Sequence, residues 1–279
     1  MPNIEVHKNA LKKALPFFGD ALPLTAKKIL TPERIVQVTC TAISKSPMLM
    51  KCTPQSILKA VMDCVQVGLE PGGPMGHAYL VPFYNKSISS SEATPIVGYK
   101  GHIQLAMRSG LFKGPPAANL VYDDDSFSLD LGSGRPPKHT FDLRKSISDR
   151  GHVLGAYCTA AFKDGGYHIE WMSIDQIDAV MNKSLAKTKG SGPWRTDTGQ
   201  MQRKTVIRRA SNYWPMSVCQ AQAFDMDNRA ESGEDRDESI AYGAEFLATL
   251  DEIKAESADG PGGQDRSSDV ALMIRSSIE

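Results

Sequence analysis

The sequence predicts a fold that combines α-helices with antiparallel β-hairpins. Apolar residues recur at helical spacing as far as Leu69, and apolar and polar residues alternate in several short stretches after Gly76. The turn-forming residues Lys163–Gly166 separate two of the alternating stretches, as they would in a β-hairpin. Both kinds of element are therefore expected in one folded body.

The helices of the N-terminal part are indicated by periodicity and by capping residues. An amphipathic helix is predicted from Ile4 to about Phe18. Two further helices should begin after Thr31 and Thr53, because each threonine can cap a helix and is followed by a proline, which the first helical turn tolerates. The second of them is expected to end near Gly68.

A change of periodicity marks the first hairpin. His77–Phe83 and Pro95–Tyr99 are predicted to be its strands, with a long polar tip at Asn85–Ala93, and a helix should follow from Gly101 to Ser109. Further strands are predicted at residues 118–122, 126–131, 139–143, 153–162 and 167–172, and further helices at residues 173–181, 200–212 and 218–224.

Charge is distributed unevenly, although the whole chain is neutral. Residues 1–224 contain 27 Lys and Arg against 17 Asp and Glu, whereas residues 225–279 contain 5 against 15. We therefore expect a basic core (residues 1–225) that binds an anionic ligand, and an acidic C-terminal region (residues 226–279). That region should be partly disordered, with one short amphipathic helix, and could act as a tether, a partner-docking site, a competitor for the anion site or simply a solubilising tail.

The densest positive charge lies in Lys183–Arg209. This stretch of 27 residues contains 8 Lys and Arg and a single acid. Lys204 and Arg208 share a helical face at i, i+4 spacing and could follow a phosphate backbone, while Trp194 could stack on a base. A solvated basic face with a core tryptophan is the alternative, and the charge density favours a nucleic-acid ligand.

Several kinds of site have no signature in the sequence. There is no phosphate-binding GxxxxGK[ST] loop, so ATP hydrolysis is not expected. Five widely spaced cysteines without a CxxC pair argue against a disulfide framework and a zinc site. The sequence shows no secretory signal and no run of about 20 apolar residues, so a soluble cytoplasmic protein without a membrane partner is expected.

Three segments, taken in order, resemble the RecT/Redβ family of phage single-strand annealing proteins. They are Gly76–Phe83 (GHAYLVPF), Ile96–Gly110 (IVGYKGHIQLAMRSG), and Trp194 followed by Met201–Arg209 (MQRKTVIRR). The segment Gln66–Pro71 (QVGLEP) resembles the part of the family that precedes its first strand. The resemblance covers roughly residues 30–225.

The resemblance implies an α+β fold with a central antiparallel β-sheet packed with helices, and self-assembly into rings or helical filaments. It implies ATP-independent binding of single-stranded DNA and annealing of complementary strands to a duplex, in the bacterial host of a phage or prophage. An exonuclease and the host single-strand-binding protein are the implied partners, the latter through the C-terminal region. The expected DNA contacts are Lys100, Arg108, Lys189, Trp194, Arg195, Arg203, Lys204, Arg208 and Arg209.

Two other classes of function stay open at this stage. A passive single-strand DNA-binding protein would protect strands but slow their pairing. A metal-dependent nuclease would act through Asp123–Asp125, although such a run is more often an acidic turn at the end of a strand. The annealing protein is expected to be no enzyme and to have no bound cofactor, with Mg²⁺ at most an aid to annealing. If the acidic region competes with DNA, deleting residues 226–279 should tighten DNA binding.

Overall fold

A computed structural model describes residues 4–85, 88–183, 193–214, 217–232 and 242–258, and its helices and antiparallel sheets confirm the predicted α+β class. The helices are α1 (Ile4–Lys13), α2 (Leu15–Ala21), α3 (Leu24–Lys27), α4 (Pro32–Lys45), α5 (Pro54–Gln66), α6 (Tyr99–Arg108), α7 (Ile174–Lys183), α8 (Pro193–Thr196), α9 (Thr198–Ser211), α10 (Val218–Ser232) and α11 (Ala244–Ala258). The strands are β1 (Ala78–Asn85), β2 (Ser90–Val97), β3 (Ala117–Tyr122), β4 (Ser126–Ser128), β5 (Lys138–Thr140), β6 (Val153–Ala161) and β7 (Tyr167–Ser173).

The two threonine–proline pairs begin helices as predicted. The Thr31 Oγ1 accepts a hydrogen bond of 3.3 Å from the backbone N–H of Arg34 at the start of α4. The Thr53 Oγ1 accepts one of 3.3 Å from the N–H of Ser56 at the start of α5. Each bond satisfies an N–H group that the first turn of a helix leaves without an intrahelical partner.

Two predicted elements in the N-terminal part have different boundaries. The prediction of a single helix from Ile4 to about Phe18 is wrong, because the structure has two helices, α1 and α2, separated at Ala14. Pro16 has no N–H group and so cannot continue the hydrogen bonds of α1. The long polar tip of the first hairpin is also wrong. The strands pair as far as Asn85 opposite Ser90, since backbone pairing does not depend on apolar side chains.

The strands form three separate antiparallel sheets. β1 pairs with β2, β4 pairs with β5, and β6 lies between β3 and β7 in a three-stranded sheet. One face of the three-stranded sheet packs against α6, α7 and α9, with Leu120, Ala156 and Ile207 among the buried residues. On its other face, Tyr157 stacks with Phe127 of β4 at a ring-centroid distance of 5.3 Å.

The helix predicted at residues 218–224 continues to Ser232 as α10, because Ala223 and Met226 are both buried in the cluster between α5, α6 and the first hairpin. The acidic region also supplies α11 to the N-terminal helical layer. Phe246 and Leu250 are buried with residues of α1, α2 and α5. The predicted boundary at residue 225 therefore falls inside a helix, and residues 259–279 lie outside the described residues.

Candidate nucleic-acid interface

Two cations of the basic helix α9 turn towards α10. The Lys204 side chain is only 12% exposed, and its Nζ lies 3.5 Å from Asp227 Oδ2. The Arg208 guanidinium donates a hydrogen bond to the amide oxygen of Asn228. A phosphate bound by these cations would have to displace partners that the protein itself supplies. Their contact with DNA stays a prediction.

Asp227 is the centre of a buried polar cluster that joins α6, α9, α10 and β2. Its Oδ1 accepts a hydrogen bond of 2.8 Å from the N–H of Val97, and its Oδ2 lies 2.9 Å from His102 Nε2. Burial acts to raise the pKa of Asp227, but Lys204, His102 and Arg208 outweigh this effect and hold it below its usual range. Burial lowers the pKa of His102. The ionised carboxylate thus fixes α10 against the other elements.

The next two predicted contacts on α9 are also engaged within the protein. The Arg209 Nε lies 2.9 Å from Glu170 Oε1 on β7, and 41% of the Arg209 side chain is exposed. The Arg203 guanidinium donates a hydrogen bond of 3.3 Å to the carbonyl oxygen of Gly199. Both residues are partly exposed, and both side chains have partners within the protein.

The predicted contacts before α9 differ in their exposure. Trp194 is 9% exposed and packs in the core of the three-stranded sheet, so its ring offers little surface to a base. This position agrees with the alternative interpretation of the sequence, in which Trp194 is a core residue. Arg195 is exposed. Lys189 lies within residues 184–192, outside the described residues.

Arg108 is half-buried against the C-terminal end of α5. Its guanidinium donates hydrogen bonds of 3.3 and 2.7 Å to the carbonyl oxygens of Val67 and Gly68. Gly68 has a φ of 71°, and the next N–H, that of Leu69, bonds back to the Cys64 carbonyl at 2.8 Å. Arg108 thus satisfies carbonyls at the negative end of the helix dipole. This structural role accounts for its position, and its DNA contact stays a prediction.

Three glycines let the first hairpin lie directly on the start of α6. A Cβ added to Gly98 would lie 2.4 Å from the carbonyl oxygen of Gly76, and one added to Gly101 would lie 2.2 Å from that of His77. Gly76 also has a φ of 67°, which L side chains rarely adopt. Larger residues at these positions would push the hairpin and α6 apart. This explains why the segments Gly76–Phe83 and Ile96–Gly110 contain these glycines.

These glycine contacts bring Tyr79 and Lys100 together at the surface. A Cβ added to Gly76 would lie 2.8 Å from the Tyr79 hydroxyl oxygen and 3.9 Å from Lys100 Cδ, so both side chains lie close to the Gly76 backbone. Tyr79 is 50% exposed. Lys100 is exposed and forms no ion pair with any residue that the structure describes. We call Gly76, Tyr79, Gly98 and Lys100 the junction surface. An exposed aromatic ring beside a cation is a combination that proteins use to bind single-stranded nucleic acid.

The charge next to the junction surface is positive. Burial lowers the pKa of His77, nearby Arg108 and Lys100 lower it further, and Glu70 opposes them. Glu70 is itself buried and paired with Arg34, whose Nη2 lies 2.9 Å from Glu70 Oε1. Because this carboxylate is engaged by Arg34, it does little to neutralise Lys100.

The three consecutive aspartates have three different partners. Asp125 is buried in a two-bond ion pair with Arg150, with N–O distances of 2.8 and 2.6 Å. Asp124 lies 2.7 Å from the Lys145 Nζ, and Asp123 accepts a backbone hydrogen bond. Within the described parts of the chain, no three His, Cys, Asp or Glu side chains are placed to hold a metal ion. The nuclease hypothesis therefore gains no support from this run.

Sequence reasoning identifies Lys100 but gives no reason to single out Tyr79. The alternation of side chains in β1 places Tyr79 on the face of the strand away from the buried Leu80. Only the fold shows that glycine backbone lies beneath the Tyr79 ring. The partners Asp227 and Asn228 are missed as well, because they are distant in sequence from α9.

No described helix is long and apolar enough to cross a membrane.

Comparison with known proteins gives two relatives and one family. A model described as the RecT family matches residues 33–241. The chain is 37% identical over 216 residues to Protein RecT of Escherichia coli (strain K12), covering 77% of this chain and 78% of that protein. It is 24% identical over 216 residues to the uncharacterized protein YqaK of Bacillus subtilis (strain 168), covering 72% of this chain and 71% of that protein. The family match includes the junction surface and α9 and ends before α11.

Proposed function

The chain belongs to the RecT family of DNA annealing and recombination proteins, and we propose that it binds single-stranded DNA and anneals complementary strands without ATP. The observation that carries the proposal is the exposed Lys100 beside the exposed ring of Tyr79. A lysine neutralises phosphates whatever the base sequence, and an aromatic ring can stack on any base. Contacts of this kind leave the test of sequence to base pairing.

Annealing requires no covalent chemistry. Two strands repel each other through their phosphates, so a protein speeds their pairing when it neutralises the phosphates and leaves the base edges free. The sequence has no GxxxxGK[ST] loop, and the carboxylates of Asp123–Asp125 have partners within the protein. We therefore propose that neither ATP hydrolysis nor strand cleavage accompanies the function, and that Mg²⁺ assists only by screening phosphates.

We propose that the protein acts as a ring or helical filament of many copies on DNA. One junction surface offers few contacts, and copies arranged along a strand multiply them. The proposed partners are single-stranded DNA, the annealed duplex, an exonuclease that produces the single strand, and the host single-strand-binding protein. The C-terminal region is the proposed contact for that last partner, in the cytoplasm of a bacterial host of the phage or prophage.

The proposal is tested with two complementary oligonucleotides whose pairing quenches a fluorescent label. Without ATP, we expect the protein to accelerate pairing, most strongly when the strands are added one after the other. Both strands should keep their full length on a denaturing gel, with or without Mg²⁺. Tight binding without acceleration would identify a passive binder, and shortened strands in Mg²⁺ would identify a nuclease.

A further inference from the structure

The β1–β2 hairpin has one buried face and one open face. Leu80 and Val97 point inward and are buried against the helices. Because successive side chains of a strand point to opposite faces, Tyr79, Val81 and Phe83 share the outer face, and all three are at least partly exposed. On β2 the outer face is completed by Ile96, Thr94 and Glu92, which pair with Tyr79, Val81 and Phe83. The Glu92 carboxylate, at the far end of the hairpin from Tyr79, accepts a hydrogen bond of 2.8 Å from the Asn85 amide.

Tyr79 of this outer face lies next to positive charge. Its ring carbon Cε2 is 3.0 Å from the position of a Cβ on Gly98, so the ring rests on glycine backbone. This support fixes one side of the ring and leaves Tyr79 50% exposed. Lys100 lies beside it on the rigid first turn of α6. The ring is thus held in place, and the backbone of Lys100 is fixed beside it by α6, before any ligand binds.

We propose that Tyr79 stacks on an unpaired base of the bound strand while Lys100 contacts a neighbouring phosphate. The inference rests on the proposed function, because it takes single-stranded DNA as the ligand. A ring can stack only on a base whose face is open, and the bases of a duplex are covered by their neighbours. The contact therefore selects single strands and is released as the complementary strand pairs.

A second copy of the chain is the other occupant that an open, partly apolar hairpin face could take. The uncompensated charge of Lys100 favours a polyanion over such a copy. A base-free strand separates the two possibilities, because it keeps the phosphates that Lys100 would contact and removes everything on which Tyr79 could stack.

The test uses two substitutions of Tyr79 and one matched control. Tyr79→Leu keeps an apolar side chain over Gly98 but removes the aromatic ring, and Tyr79→Phe keeps the ring. The control is Tyr84→Leu, since Tyr84 is 60% exposed on the same strand but alternates to the other face. Fluorescence anisotropy measures the binding of an oligothymidylate and of an abasic strand of equal length, and thermal melting checks that each variant is folded.

We expect Tyr79→Leu to weaken oligothymidylate binding about ten-fold and to leave abasic-strand binding unchanged, with Tyr79→Phe and Tyr84→Leu close to the wild type. Lys100→Ala should weaken the binding of both strands. Unchanged oligothymidylate binding by Tyr79→Leu, or an equal loss on both strands, would overturn the inference. If Tyr79→Leu changed the size of the oligomer but not the preference for oligothymidylate over the abasic strand, the outer face of the hairpin would be a contact with a second copy of the chain. A wild-type protein that binds neither strand would overturn the proposed function instead.

Discussion

Among single residues, Asp125 shows how a motif that suggests a metal site can be a structural ion pair. Its carboxylate receives two hydrogen bonds from the Arg150 guanidinium and lies 2.9 Å from His139 Nε2. The guanidinium also lies over the ring of Phe141, 3.9 Å from its centroid. These contacts attach the β4–β5 hairpin to the end of β3. Asp125 therefore has a structural role in this part of the fold.

Replacing Asp125 by asparagine should lower the free energy of unfolding by about 3 kcal/mol near neutral pH, because Arg150 stays buried without its counter-charge. Burial acts to raise the pKa of Asp125, but hydrogen bonds from Arg150 and His139 outweigh it and lower the pKa to about 2. The stabilisation by the wild-type carboxylate is therefore present above the unfolded-state pKa of about 3.9 and is lost as the pH falls towards about 2.

Urea unfolding of wild type and Asp125→Asn at a series of pH values checks this prediction. The difference between the two proteins should shrink on acidification. Asp251→Asn, an exposed residue on α11, is the control and should have little effect. A difference between wild type and Asp125→Asn that stays constant down to about pH 2 would contradict the assignment.

Among the elements, α9 shows what a charge pattern can and cannot predict. The spacing of Lys204 and Arg208 correctly places both on one side of a helix, because that spacing is a local property. It does not reveal that α10 covers this side, because Asp227 and Asn228 come from a later helix. For the same reason the threonine caps are predictable from sequence, whereas the partners of the basic helix are not.

Helix α11 gives a prediction about stability. Leu250 is buried in the N-terminal core, so Leu250→Ala should lower the free energy of unfolding by about 3 kcal/mol. Glu252→Ala, on the exposed side of the same helix, should change it little. Chemical unfolding monitored by circular dichroism measures both variants. If Leu250→Ala and Glu252→Ala both lowered the free energy of unfolding by an equally small amount, α11 would not contribute to the core.

The position of α11 changes how the acidic region should be tested. Deleting residues 226–279 removes Asp227 and the core residues of α11 together with the tail, so DNA affinity and folding would change at once. Truncation after Ala258 retains both helices. It removes residues 259–279, which contain four acids and two bases, so most of the acidity of the region would remain. Only the competition of this last segment with DNA is then measured.

In the molecule as a whole, the part that the sequence does not predict is how the elements are assembled. Local signals indicate most helices and strands, and segment resemblance indicates the family. The division of the strands into three sheets and the return of α11 to the N-terminal helices depend on pairings between distant residues. The junction surface is of the same kind, because Tyr79 and Lys100 meet only when Gly76 and Gly98 pack together.

The charge of the whole molecule also depends on this assembly. The neutral total conceals a basic body and an acidic C-terminal region, and the two are folded against each other through α10 and α11. Lys204 of α9 is consequently paired with Asp227 of α10, whereas Arg209 is paired with Glu170 of β7 inside the basic body. The cations that remain accessible, with Lys100 among them, should therefore set the dependence of DNA binding on salt.

The central claim is that the protein anneals strands through the junction surface, and the most direct measurement is the annealing rate of wild type, Lys100→Ala and Lys254→Ala as a function of salt. Lys254 is an exposed lysine on α11 and controls for the loss of one charge. We expect wild type and Lys254→Ala to accelerate pairing equally. Lys100→Ala should be slower, and the slope of its binding constant against salt should fall by about 1 on logarithmic axes. Equal rates and slopes for all three proteins would contradict the claim.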